Sequence, residues 1–133
     1  MKSFTTPLIV SPLPDGRRWK LYRSFTYQHR NGFGKVDIHI PAGFETDFAS
    51  VPRIFWALIS PWGKFGKAAV LHDFLYQNHQ IKLAKNITLS FTRKQADLIF
   101  FKGMRDCGTT VLKAKVMYVA VRLFGWLSWT RQK

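Results

Sequence analysis

The chain has little cysteine, few acids and no long apolar run. Its 133 residues include one cysteine, Cys107, which excludes an internal disulfide framework and a cysteine-rich zinc site. No stretch of about 18 apolar residues is free of charge, so we predict no transmembrane segment. The first residues lack the apolar run of a secretory signal, so we expect no signal peptide. The fold must therefore depend on a hydrophobic core.

The scarcity of acids gives the chain a strong positive charge. Seven Asp and Glu face 21 Lys and Arg, which leaves a net charge of +14. We therefore expect an anionic partner, such as an envelope lipid, a cell-wall polymer or an acidic protein. Nucleic acid is a further candidate, although the basic residues are scattered along the chain rather than stacked on one helix.

What the chain does have is enough apolar and aromatic content for a core. Hydrophobic residues make up 47% of it and aromatic residues 16%, which excludes a disordered tail protein. A length of 133 residues suits one domain, so we predict a single domain over residues 1–133.

The first 40 residues predict an extended arm followed by a β-hairpin. Residues 1–16 contain three prolines and an Asp-Gly pair, which is typical of an arm that ends in a turn. An alternating strand follows, then an Asn31-Gly32 turn and a second strand that ends before Pro41. The predicted hairpin spans residues 17–40, and the first strand places these residues on one side: Trp19, Leu21, Arg23, Phe25 and Tyr27.

The rest of the chain predicts helices. Residues 41–66 indicate packed loops with a short helix near 53–59, and residues 67–129 indicate helices. Thr92 and Gln95 match a capping box, and Gly108 suits a helix end. The last helix is predicted over about Val111 to Trp129. The predicted fold class is α+β, with an N-terminal β-hairpin or small antiparallel sheet packed on a three- to four-helix unit.

A histidine and an acid on apolar helix faces form the first candidate site. His72 shares its face with apolar residues, and Asp97 lies on the apolar face of the next helix. We predict that the two helices pack antiparallel and that His72 hydrogen-bonds to Asp97, which would hold a neutral imidazole as a base. The alternative is a core histidine that is satisfied by an acid and catalyses nothing.

Two further acids could bind a metal ion. Asp73 points about 100° away from His72 around the helix, and Asp47 lies in an apolar loop. Together they predict a site for a divalent cation. The alternatives are a salt bridge for Asp73 and a helix cap for Asp47. Cys107 is expected in the core, and His29 and His39 are expected on the surface.

Three short motifs resemble a family of small bacteriophage and prophage proteins of unknown function. They are Thr-Asp-Phe-Ala-Ser-Val-Pro at 46–52, His-Asp-Phe-Leu-Tyr at 72–76 and Arg-Lys-Gln-Ala-Asp at 93–97. The resemblance implies a phage or prophage origin, with the protein in the virion or in the cytoplasm of the bacterial host.

His72, Asp73, Tyr76 and Asp97 also resemble the helix pair of phospholipases A-two. That resemblance implies that His72 is the general base and that Asp73 binds calcium. It further implies that Asp97 and Tyr76 orient His72.

The C-terminal helix admits two interpretations. Its apolar, tryptophan-rich residues are flanked by Lys and Arg, which is typical of a helix at a membrane interface. Alternatively, the helix completes the core.

These observations predict a phage or prophage hydrolase-like protein that cleaves an ester or amide in the host envelope. A non-catalytic tail or baseplate component, in contact with other virion proteins, is the alternative. A basic effector that binds nucleic acid or an acidic host protein is the second alternative.

Overall fold

The computed structural model describes residues 10–12, 14, 18–31, 34–46, 66–84 and 87–131. Within these ranges the fold is α+β, as predicted, with small antiparallel sheets and four helices. The predicted short helix at 53–59 and Asp47 lie outside the described residues.

The N-terminal strands form two antiparallel sheets. Strands β1 (Val10–Pro12), β2 (Trp19–Leu21) and β5 (Glu45–Thr46) make one sheet in the order β1-β2-β5. Strands β3 (Phe25–Asn31) and β4 (Gly34–Ile40) make a hairpin, with Phe25 opposite Ile40. Strand β1 lies within the predicted arm.

The hairpin differs from the prediction in two places. The single strand predicted from residue 17 is interrupted at residues 22–24, because β2 pairs with β1 and β5 whereas β3 pairs with β4. Arg23, predicted beside the core residues, is exposed as a result. Strand β3 also continues through Asn31, which pairs with Gly34, so Asn31 belongs to the strand rather than to the predicted turn.

The helical part begins with α1 (Gly66–Gln77). A hairpin of β6 (Gln80–Ala84) and β7 (Ile87–Ser90) then leads to α2 (Arg93–Asp106). Most of the segment between α1 and α2 is therefore a paired hairpin. None of the helices within the described ranges has the length and apolar content to cross a membrane.

Local signals fix both ends of α2. The Thr92 side chain accepts from the Gln95 backbone, and the Gln95 side chain accepts from the Thr92 backbone. This reciprocal capping box satisfies two backbone donors at the helix start. Gly108 follows the helix with a φ of 94°, which favours glycine. Both predictions for this helix are confirmed.

The C-terminal helix is broken, contrary to the single helix predicted. Helix α3 (Val111–Phe124) ends at Gly125, and the short α4 (Trp126–Arg131) follows. A Cβ on Gly125 would lie 2.6 Å from Tyr76 Oη. The break therefore coincides with a close approach between this turn and α1.

One core joins the strands to the helices. Helix α1 is buried on nearly all sides, not on the single face that its sequence predicts, because it contacts α2, α4 and β5. The fully buried large side chains of the core are Leu21, Phe25, Ile38, Ile40, Leu71, Leu75, Tyr76, Ile99, Phe100, Met104 and Met117.

Candidate functional site

The site lies where α1 faces α2. Tyr76 of α1 donates a hydrogen bond to Asp97 of α2. His72, one turn before Tyr76 in α1, also stacks on Phe100, which lies almost one turn after Asp97 in α2. Contacts that run in opposite directions along the two helices are those of an antiparallel pair. The β6–β7 hairpin reverses the chain between them. His72 and Asp97 therefore meet as predicted, although 25 residues separate them.

Asp97 is the centre of a buried hydrogen-bond network. Its Oδ1 lies 2.7 Å from His72 Nε2 and accepts from Tyr76 Oη at 2.5 Å. Its Oδ2 accepts from Arg122 Nη1 at 2.9 Å. The side chains of His72 and Asp97 are both 0% exposed. A buried carboxylate is costly unless donors surround it, and here three donors do so.

Arg93 supports the network from the first turn of α2. Its Nη1 lies 3.6 Å from Asp97 Oδ2, one turn along the same helix. The same guanidinium donates to the carbonyls of Val121 and Arg122 at 3.0 and 3.2 Å. Carbonyls near a helix C-terminus lack helical partners and carry partial negative charge, so a cation there stabilises the end of α3.

The protonation states follow from these contacts. Burial lowers the pKa of His72 below its ordinary value, although the hydrogen bond to Asp97 opposes this shift. Burial by itself raises the pKa of Asp97, but the contacts with His72, Tyr76 and Arg122 outweigh it and lower that pKa. The imidazole is therefore neutral near pH 7 and donates Nε2–H to an ionised carboxylate. Its acceptor nitrogen is then Nδ1.

Aromatic rings pack against the imidazole and Tyr76. The Phe100 ring stacks on His72 with centroids 4.4 Å apart. Trp129 of α4 packs edge-on against Tyr76 at 5.2 Å and stacks on His79 at 3.6 Å. The orientation of Tyr76 therefore depends on α4 as well as on Asp97.

Asp73 is held by a different set of neighbours. Thr46 of β5 donates its hydroxyl to Asp73 Oδ2, and Gln77 Nε2 lies 3.3 Å from the same oxygen. Asp73 is buried and faces β5, whereas His72 faces α2, as the helical phase predicts. Among the described residues, no group of three or more His, Cys, Asp or Glu side chains could hold a metal ion. Metal binding by Asp73 and Asp47 stays a prediction.

Comparison with known proteins places the chain in a family. Residues 19–121 match the family described as "Protein of unknown function (DUF1353)". The chain belongs to the DUF1353 family. It is 33% identical over 109 residues to the "Uncharacterized protein y4jT" of Sinorhizobium fredii (strain NBRC 101917 / NGR234). That alignment covers 80% of this chain and 29% of the relative, so the chain spans less than a third of that curated relative. No solved structure matches the chain.

The DUF1353 match contains the whole His72 network except its C-terminal members, Arg122 of α3 and Trp129 of α4. His72, Tyr76, Asp97 and Arg93 lie within residues 19–121, whereas Arg122 follows directly after them. The buried network is therefore largely part of the family's matched region. It is not an addition of the C-terminal helix.

A surface cavity in this DUF1353 protein is separate from the network. It has a volume of about 180 Å³ and lies between β3, β7 and α2. His29, predicted on the surface, is half-buried there, and burial followed by the charge of Lys102 lowers its pKa. His39 is exposed as predicted. Cys107 is half-buried against the core, and burial raises the pKa of its thiol.

The sequence did not predict that Arg93, Arg122 and Trp129 belong to the site. Two signals were present. Arg93 precedes Asp97 by four residues, the spacing of neighbours on a helix. Arg122 interrupts an otherwise apolar stretch, and a charge in such a position needs a partner. Neither signal identifies Asp97 as the shared partner, because the contact between Arg122 and Asp97 depends on how α3 packs on α2.

Proposed function

We propose that this DUF1353 protein is a phage or prophage hydrolase that cleaves an ester or amide in the host envelope, with His72 as the general base. The observation that carries the proposal is the geometry at Asp97 Oδ1, which binds both His72 Nε2 and Tyr76 Oη. A carboxylate on one imidazole nitrogen fixes the tautomer and directs the other nitrogen toward proton transfer. The three motifs from Thr46 to Asp97 support the phage or prophage origin.

The proposed chemistry uses His72 Nδ1. Because His72 is fully buried, the proposed step requires an opening that admits water and substrate to this nitrogen. The nitrogen then takes a proton from water as the water oxygen attacks the carbonyl carbon of the substrate. The imidazolium is stabilised by Asp97, whose carboxylate stays ionised because Tyr76 and Arg122 also donate to it. The same proton then passes to the leaving alcohol or amine as the carbon–oxygen or carbon–nitrogen bond breaks.

Calcium at Asp73, with Asp47, is part of the proposal but supplies no step in it. Hard cations bind carboxylate oxygens, and calcium bound there could stabilise the negative oxygen of the intermediate. Asp73 Oδ2 already accepts hydrogen bonds from Thr46 and Gln77, and the described residues include no group of three or more His, Cys, Asp or Glu side chains that could hold the ion.

A non-catalytic virion component is the second candidate, and the burial of the network favours it. His72 and Asp97 are fully buried, so the network can fix the packing of α1, α2 and α3 without contacting a substrate. Buried polar networks of this kind can specify one arrangement of helices. In a tail or baseplate protein, that rigidity would be the function of the network.

The substitution His72→Gln separates the two candidates. Glutamine keeps an amide donor for Asp97 but has no basic nitrogen. We expect the variant to remain folded and to lose hydrolysis of a panel of chromogenic esters and amides by about 100-fold or more. His39→Gln, at an exposed histidine, is the matched control. Asp73→Asn, assayed with and without calcium, tests the metal.

Each outcome favours one candidate. A His72→Gln variant that hydrolyses the panel as fast as the wild type contradicts the role of His72 as base. A wild type that hydrolyses nothing, combined with a large fall in the melting temperature of His72→Gln, supports the structural candidate. An identical response of wild type and Asp73→Asn to calcium contradicts the metal site.

A further inference from the structure

Helix α3 has two apolar faces, of which only one is used by the core. The inner face is small and buried, and consists of Ala114, Met117, Ala120 and Val121. The opposite side has Leu112, Val119 and Leu123, which we call the outer stripe. Leu112 is 74% exposed and Leu123 is 60% exposed. A surface helix that packs only on its own core needs one apolar face, so the outer stripe indicates a second contact.

Exposed apolar side chains continue past the end of the stripe. Phe124 is the last residue of α3, and Trp126 and Leu127 are the first two residues of α4. Each of these three side chains is at least half exposed. The six side chains of the stripe and this junction make up what we call the outer surface. Aromatic and large aliphatic residues concentrated in this way favour the boundary between water and a lipid layer.

The charged residues of the segment that carries the outer surface are all of one sign. Residues 107–133 contain five Lys and Arg and no Asp or Glu. Lys113 and Lys115 are exposed, and helical phase places them on either side of the outer stripe. A second copy of the chain would bring like charges together at this surface. A layer of anionic headgroups would complement them.

We propose that the outer surface docks onto an anionic phospholipid membrane, with α3 and α4 lying in the interface. The outer stripe and Trp126 enter the headgroup region, and Lys113 and Lys115 contact phosphates beside them. This docking goes beyond the proposed hydrolysis and does not depend on it. The His72→Gln variant should bind the membrane as the wild type does.

Co-sedimentation of the full chain with vesicles tests the proposal. We expect binding to vesicles that mix phosphatidylglycerol with phosphatidylcholine, at least tenfold tighter than to pure phosphatidylcholine. The triple variant Leu112→Gln, Val119→Gln, Leu123→Gln should bind at least tenfold more weakly. The double variant Lys113→Gln, Lys115→Gln should bind on the order of tenfold more weakly and with less dependence on salt.

Tyr22→Gln is the matched control, because Tyr22 is 65% exposed but lies between β2 and β3. It should bind as the wild type does. Circular dichroism checks that each variant is folded. If the triple variant is not, Leu112→Gln alone replaces it and should still weaken binding severalfold.

Three results would overturn the proposal. The first is a wild type that does not bind anionic vesicles. The second is a folded triple variant that binds as tightly as the wild type, which would show that charge alone attracts the protein. The third is a wild-type dimer that the triple variant converts to a monomer, without vesicle binding in either. That result would assign the outer surface to a contact between copies.

Discussion

Asp97 and His72 show how one buried contact can serve either chemistry or stability. The carboxylate is fully buried and is surrounded by an imidazole, a hydroxyl and a guanidinium. Removing one partner of a buried ion pair leaves the other charge buried without a partner, which lowers the free energy of unfolding by about 3–5 kcal/mol. A fall in stability after mutation therefore cannot by itself identify a catalytic role. A variant that keeps the hydrogen bond to Asp97 but lacks the basic nitrogen, such as His72→Gln, can identify that role.

The first prediction concerns the stability of the protein against pH. Because burial holds the pKa of His72 below its ordinary value of 6.5, the unfolded chain binds a proton there before the folded protein does. The contribution of His72 is thus fully present above about pH 6.5 and is lost as the pH falls. Asp97, whose pKa is also lowered, acts in the same direction but only at more acid pH. His29 adds to the effect of His72.

We expect the free energy of unfolding to fall between pH 7 and pH 5. Protonation of His72 contributes at most about 1.4 kcal/mol per pH unit to this fall in the free energy of unfolding. Denaturant melts at several pH values measure it. His72→Gln should flatten the dependence, and the same change at exposed His39 is the control. An unchanged slope in His72→Gln would show that this imidazole does not titrate as its burial requires.

At the scale of elements, the turn between α3 and α4 determines how the C-terminus meets the site. The last turn of α3 is held by Arg93, which binds two of its carbonyls. Helix α4 then places Trp129 against Tyr76. The backbone of Gly125 passes so close to Tyr76 that no side chain fits there. The position of α4 therefore requires glycine at 125.

The second prediction is that Gly125→Ala destabilises the protein by about 1–3 kcal/mol. The new Cβ would lie 2.6 Å from Tyr76 Oη and 2.5 Å from the Val121 carbonyl oxygen. Thermal or urea unfolding measures the change. In a Tyr76→Phe background, which removes the hydroxyl, the cost of Gly125→Ala should be smaller. If Gly125→Ala destabilises both backgrounds equally, the Tyr76 hydroxyl is not the group that the new Cβ meets.

At the scale of the whole molecule, polar contacts join the strands to the helices. Thr46 of β5 donates to Asp73 of α1, and Tyr27 of β3 donates to Asp106 at the end of α2 with a distance of 3.0 Å. The same buried cluster includes side chains from the strands and from α1, α2 and α3. That the chain is one domain stays a prediction.

The third prediction is that the chain unfolds in a single cooperative transition. Melting curves followed by far-ultraviolet circular dichroism and by tryptophan fluorescence should coincide. Tyr27→Phe removes the hydrogen bond between β3 and Asp106, so it should lower the melting temperature by the same amount in both measurements. Two separate transitions would show that the N-terminal sheets and the helices are independent units.

The sequence by itself determined the features that depend on near neighbours. The capping box at Thr92, the end of α2 at Gly108 and the inward faces of the strands follow from local hydrogen bonds, glycine geometry and periodicity. The pairing of His72 with Asp97 was also predictable, because each lies on the apolar face of its helix and only a short connector separates the two helices.

Only the tertiary structure decided which groups complete the site. Arg122 reaches Asp97 because α3 packs on α2, and the sequence carries no periodic signal for that contact. The burial of α1 on nearly all sides and the break at Gly125 have the same origin, since both depend on elements far away in the chain. Local patterns report which side of an element is apolar. Which element covers that side depends on the packing of the whole chain.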